Sequence, residues 1–172
     1  MRHFTCGIAA FLCATTIHSL ANAADRYPLE IIVTCVSNPK CIFTGEDIEL
    51  NIKIKNITSR NVGLNSQYMQ SVGPYIKLTD LSTGRSIDLS VNLASLDLLQ
   101  EYEQIKPRAS VEFNERIWAY QLKNFSDESV NLLVRVAFYG NFVAPNQAPR
   151  AFDKVGMITI SDGRNYGKVY IH

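Results

Sequence analysis

Ile48-Glu49-Leu50-Asn51-Ile52-Lys53-Ile54-Lys55 alternates apolar and polar side chains without a break. A period of two puts every second residue on one face of an extended chain, so this stretch predicts a strand with one face on a core and one in water. Residues 44–47 turn into it and residues 56–61 turn out of it. Residues 29–35 are rich in β-branched side chains and read as an earlier strand. Residues 62–64 read as a short third strand, followed by a polar loop that ends at Gly73-Pro74. Tyr75-Ile76-Lys77-Leu78-Thr79 and Ser86-Ile87-Asp88-Leu89 alternate on either side of Asp80-Leu81-Ser82-Thr83-Gly84-Arg85, which has the chemistry of a hairpin loop. After a Lys106-Pro107-Arg108 turn, Val111, Phe113, Glu115 and Ile117 alternate against polar neighbours.

Val130, Leu132, Val134, Val136 and Phe138 line one face of a long strand, and Leu133, Ala137 and Tyr139 on the other predict a central strand covered on both sides. Residues 155–161 and 168–171 complete the set across the turn Asp162-Gly163-Arg164-Asn165. Only 91–105 departs from this rhythm. Its Val91, Ala94, Leu98, Tyr102 and Ile105 recur every three or four positions, which suits one short helix or an irregular crossover. Short strands parted by turn signals, with at most one brief helix, predict an all-β antiparallel sandwich with Greek-key connections.

The amino-terminal end breaks the pattern for a different reason. Arg2, an apolar stretch over 6–17 and the small residues Ala21-Asn22-Ala23 form a secretory signal peptide, with cleavage expected after Ala23. The remaining residues, 24–172, are the right length for a single domain with a sizeable core. No later apolar run approaches the length of a bilayer crossing, the longest being Val136-Ala137-Phe138-Tyr139. Neither Cys6 nor Cys13 carries the small-residue context of a lipid anchor. The expectation is a periplasmic or secreted protein, and the brevity of the leader suits a bacterium.

Composition adds two exclusions. The chain has 17 Lys and Arg against 16 Asp and Glu, and loss of Arg2 with the leader brings the balance to 16 against 16. A neutral domain is not built to be steered to nucleic acid or to an anionic membrane. Its histidines are His3, His18 and His172, so none lies within the body of the domain. Ser-His-Asp and Cys-His hydrolases, and catalytic zinc sites with their imidazole ligands, are therefore not expected. Neither a metal nor a cofactor is implied.

Cys35 and Cys41 remain after export, with Asn38-Pro39 as a turn between them. In an oxidising compartment they are expected to form a disulfide, which closes so short a loop that it contributes about 2 kcal/mol.

Gly45-Glu46-Asp47-Ile48-Glu49-Leu50-Asn51-Ile52-Lys53-Ile54-Lys55-Asn56-Ile57-Thr58 resembles the second-strand region of secreted bacterial immunoglobulin-like domains. Asp80-Leu81-Ser82-Thr83-Gly84-Arg85-Ser86-Ile87 and Ile105-Lys106-Pro107-Arg108-Ala109-Ser110-Val111 extend the likeness over 45–118. The set is similar to proteinase inhibitors of the BsuPI type and to periplasmic relatives of that architecture. The resemblance implies an immunoglobulin-like β-sandwich and a role in inhibition or recognition. The chain departs from the pattern at Arg108, where such domains often carry Gly after the Pro. It also lacks the Cys, Trp, Cys spacing of antibody domains.

Chemistry-bearing residues are sparse. Asp97, Glu101 and Glu103 form the densest acidic cluster, but they share one short segment, whereas glycoside hydrolysis needs carboxylates on opposite sides of the scissile bond. Ser90, Ser95 and Ser110 lack a nucleophile elbow. Trp118 and Tyr120 share a face if extended, and Trp118 reads as core filling. Tyr68, Met69, Phe142 and Val143 sit in expected loops among polar turn residues and are the candidate anchors for a partner, with the long loop 140–154 as the first choice of surface. Asn56-Ile57-Thr58 and Asn124-Phe125-Ser126 match the glycosylation sequon.

The function expected from these features is non-catalytic recognition of another protein through loops or an edge strand, as an inhibitor or immunity-type protein. A carboxylate-dependent cell-wall hydrolase using Glu101 and Glu103, or a structural subunit of an envelope assembly joined by strand addition, are the alternatives.

Overall fold

The computed structural model describes residues 27–89, 91–93, 95–125 and 130–163. The leader 1–23, Ser90, Ser126 and the strand expected at 168–171 lie outside the described residues. In chain order the first elements are β1 (Leu29–Cys35), β2 (Ile48–Asn56), β3 (Val62–Leu64), α1 (Ser66–Val72), β4 (Tyr75–Asp80) and β5 (Ser86–Leu89). A 3-10 turn at Leu96–Gln100 precedes β6 (Glu103–Ile105), β7 (Ser110–Ile117), α2 (Ala119–Lys123) and β8 (Asn131–Ala137). The chain then forms β9 (Asn141–Val143), β10 (Arg150–Ala151) and β11 (Val155–Ser161).

Three sheets result, ordered β1-β2-β7, β11-β8-β4-β5 and β10-β9-β3-β6, and every strand pair is antiparallel. Strands distant in sequence become neighbours, β2 with β7 and β4 with β8, which is the interleaving of an antiparallel β-sandwich. The inward rows follow the period of two. Ile48, Leu50, Ile52 and Ile54 of β2 are buried, as are Ile76 and Leu78 of β4 and Leu132, Val134 and Val136 of β8. Each such side chain contributes about 1.5–3 kcal/mol by leaving water. The Phe113 and Phe138 rings meet with their centroids 4.6 Å apart. β1 and β11 approach so closely that a Cβ on Gly156 would lie 2.5 Å from both Ile31 Cγ2 and Val33 Cγ2.

The all-β expectation holds, and the hairpin over 75–89 has Thr79 opposite Ser86. Its loop is held by Asp80, whose Oδ1 accepts the Ser82 and Thr83 N–H groups at 2.7 and 3.1 Å. The disulfide joins Cys35 and Cys41, with Cα atoms 5.5 Å apart. Asn38 makes the turn as its chemistry predicts: Oδ1 accepts Lys40 N–H at 3.0 Å and its carbonyl accepts Cys41 N–H at 2.8 Å.

Three expectations are corrected and one open alternative, over 91–105, is decided. The polar loop before Gly73-Pro74 contains α1, a seven-residue helix too short to nucleate alone, pinned by the buried Met69 and Val72. The helix left open over 91–105 is a 3-10 turn followed by β6. The loop 140–154 contains β9 and β10, part of the third sheet. β8 is central but covered on one face only: Leu133 and Ala137 are half-buried and Arg135 and Tyr139 exposed.

Candidate partner-binding surface

Of the four expected anchors, two are core residues. Met69 is 0% and Phe142 2% exposed, so neither can reach a partner. Met69 lies under Gly140, where a Cβ would fall 2.5 Å from its Cε. Phe142 packs into the third sheet with the Arg150 guanidinium 5.6 Å from its ring centre. Both plug inward from short elements whose adjacent positions are half-buried or exposed, Tyr68 and Gln70 beside Met69 and Asn141 and Val143 beside Phe142. Tyr68 on α1 and Val143 on β9 are half-buried.

The structure exposes a different pair of aromatics. Trp118 is 45% and Tyr120 63% exposed, at the junction of β7 and α2. The core reading of Trp118 is therefore overturned, and strand parity explains why. Phe113 and Ile117 point inward, so the next residue in the alternation points out with Arg116 and Asn114. That signal was present in the sequence.

Several contacts fix the pair. Asp47 Oδ1 accepts the Ala119 N–H at 2.8 Å, and Gln121 Oε1 accepts the Trp118 N–H at 2.9 Å, so two N–H groups at the start of α2 are satisfied by side chains. Leu122 anchors the helix in the core. The Arg116 guanidinium lies 5.1 Å from the Trp118 ring centre, a cation–π distance, and its Nη2 is 2.8 Å from Glu49 Oε1. Its Nη1 stands 3.9 Å from Asp47 Oδ2. Asp47 thus touches both α2 and Arg116 and ties the aromatic pair to the start of β2. On the other side of Asp47 lies a shallow cleft of about 220 Å³, lined by Ser37, Asn38, Ile42, Thr44 and Glu49 beside the disulfide.

At the middle of the β1-β2-β7 sheet the outer positions of β2 and β7 bond one another. Lys53 Nζ is 2.8 Å from Glu112 Oε1, and Asn51 Nδ2 donates to Glu112 Oε2 and Asn114 Oδ1 at 3.1 Å each. Hydrogen bonds from Lys53 and then Asn51 hold the Glu112 carboxyl below its ordinary pKa.

Asp97, Glu101 and Glu103 are all exposed, and Glu103 Oε2 accepts the Ser66 hydroxyl at 2.6 Å. Among the described residues no group of three or more His, Cys, Asp or Glu is placed to hold a metal ion. Asn56 is fully buried with its amide committed to the backbone, so in the folded protein that sequon is closed. Asn124 is exposed. Among the described residues, no helix is long and apolar enough to cross a membrane.

No family model and no curated protein matches the chain. Among solved structures it is similar to Northeast Structural Genomics Consortium target SoR45, at 10% identity over 87% of this chain and 98% of that one, with a TM-score of 0.47. It is also similar to a structural-genomics target from Bordetella pertussis, at 11% identity over 79% and 93% of the two chains and a TM-score of 0.42. A β-glucosidase from Listeria innocua, solved with laminaribiose, matches at 14% identity and a TM-score of 0.37, and this chain spans 16% of it.

Proposed function

We propose that this is a non-catalytic, extracytoplasmic binding protein that recognises another protein, with Trp118, Tyr120 and Arg116 as its anchors. The observation that carries the reading is the exposed Trp118–Tyr120 pair, braced by Arg116 and Asp47. Trp, Tyr and Arg are the residue types that dominate binding energy at protein interfaces, because they bury much area at little cost in side-chain freedom. A soluble domain that leaves an indole nearly half exposed forgoes core area that it would otherwise gain. Bracing limits the ordering cost on association. An inhibitor or immunity-type role is the sharpest form of the proposal, and the disulfide accords with an oxidising compartment.

The test is affinity capture from a periplasmic or secreted extract, followed by titration of the captured partner. Trp118→Ala is expected to weaken binding by at least about thirtyfold, the threshold of an interface hot spot. Undiminished binding by the Arg116→Ala/Trp118→Ala/Tyr120→Ala variant, folded by circular dichroism, would remove the proposal.

A further inference from the structure

The outward face of the second sheet differs in kind from that of the first. Antiparallel register places Met157, Arg135, Lys77 and Asp88 in one row across β11, β8, β4 and β5. Val155, Ala137 and Tyr75 form the next row, with the Tyr139 ring edge-on to Tyr75 at 6.2 Å. Met157 is 61% and Tyr139 58% exposed. Lys77 and Arg135 stand directly opposite each other, and like charges so placed destabilise a sheet. Among the described residues neither has an ion pair, whereas Lys53 and Arg116 on the other sheet are both paired. Asp88, the one carboxylate in the row, stands opposite Lys77 on the side away from Arg135.

We propose that this face is a second docking surface, distinct from the Trp118 patch, for a segment of a protein partner that presents carboxylates among apolar side chains. Two adjacent unpaired cations, with Met157 beside them in the row and Val155, Tyr75 and Tyr139 along one side, match such a segment in charge and in apolar area. A symmetric contact with a second copy would bring four cations together. A polynucleotide asks for a stripe of cations, and this row has two.

The purified exported protein, isotope-labelled for NMR, is titrated with a synthetic twelve-residue peptide alternating Glu with Leu and Phe, and with its Gln counterpart. Expected results are saturable shifts confined to 75–79, 133–139 and 155–159, binding that weakens as salt rises, and at least about tenfold weaker binding of the Gln peptide. Lys77→Glu/Arg135→Glu should abolish binding, and Trp118→Ala should leave it intact. Arg135→Glu alone should weaken the peptide while raising Tm by about 1–3 °C, because Arg135 stands between Lys77 and Met157 and the change replaces a like-charge pair by an opposite one. The second readout is independent of any ligand. The proposal is overturned by equal binding of the two peptides, no binding, a footprint on Trp118, tighter binding of an oligonucleotide, dilution-dependent shifts without peptide, or a fall in Tm for Arg135→Glu.

Discussion

Asn56→Ala is the substitution with the largest consequence that can be worked from named atoms. The Asn56 Nδ2 donates to the carbonyls of Arg60 at 2.7 Å, Ile105 at 2.9 Å and Lys106 at 3.3 Å. Its Oδ1 accepts from Thr58 N–H at 2.9 Å and Thr58 Oγ1 at 2.8 Å. One side chain therefore joins the end of β2, the loop after it and the end of β6. Four of these bonds are short, and a hydrogen bond is worth about 1 kcal/mol net, with more lost when a buried carbonyl is left unpaired. A loss of about 3–4 kcal/mol is expected. Urea unfolding should show a lower midpoint with an unchanged slope, since the surface exposed on unfolding is nearly the same. Thr58→Ala removes the hydroxyl alone, and the double variant should lose about 1 kcal/mol less than the sum of the singles. A loss below about 1 kcal/mol for Asn56→Ala would refute the claim that this amide is a joint of the fold.

Four further outcomes are expected. Arg108 occupies the left-handed region at φ 64° in a turn where Ala109 N–H bonds to the Lys106 carbonyl, so Arg108→Gly should stabilise the protein by about 0.5–1 kcal/mol in thermal melts. Gly156→Ala should cost about 1–3 kcal/mol, because Ile31 and Val33 are β-branched and cannot swing clear, and an unchanged Tm would contradict the close packing of β1 and β11. Cys35→Ala/Cys41→Ala should cost about 2 kcal/mol, read as a lower urea midpoint equal to that of the reduced wild type. The Glu112 carboxyl is depressed in the folded state, so its contribution is present above the ordinary Glu value and is lost as pH falls through the folded one. An NMR titration should place its midpoint below that of a free Glu and return it upward in Lys53→Gln.

The strands were legible wherever one face is buried and the other wet, as in β2, β7 and β11, because burial on one side writes a period of two into the chain. Of the third sheet only β3 was, at 62–64, since β6, β9 and β10 are two or three residues long and too short to show a period. Asn38-Pro39 foretold the turn that closes the disulfide. The anchors were misplaced for a physical reason. Met69 and Phe142 sit among polar neighbours yet fill holes made by residues far away in sequence, and only the fold brings Gly140 over Met69. Trp118 was misread although parity pointed it outward, because the general preference of large aromatics for cores outweighed the local pattern.

The parallel bridge between Ile42 and Ser161 lies beside the disulfide, while at the other pole Lys154 Nζ caps the Tyr27 ring at 3.8 Å. The described chain thus begins at one pole, and its last strand runs to the opposite one. Tension between the two ends loads β1 and β11 lengthwise, so their hydrogen bonds must shear together instead of peeling apart singly. The cross-link withholds the five residues of its loop from extension. Pulled from its two ends, the domain is expected to yield in one abrupt step, with reduction of Cys35–Cys41 adding the loop residues to its final extended length.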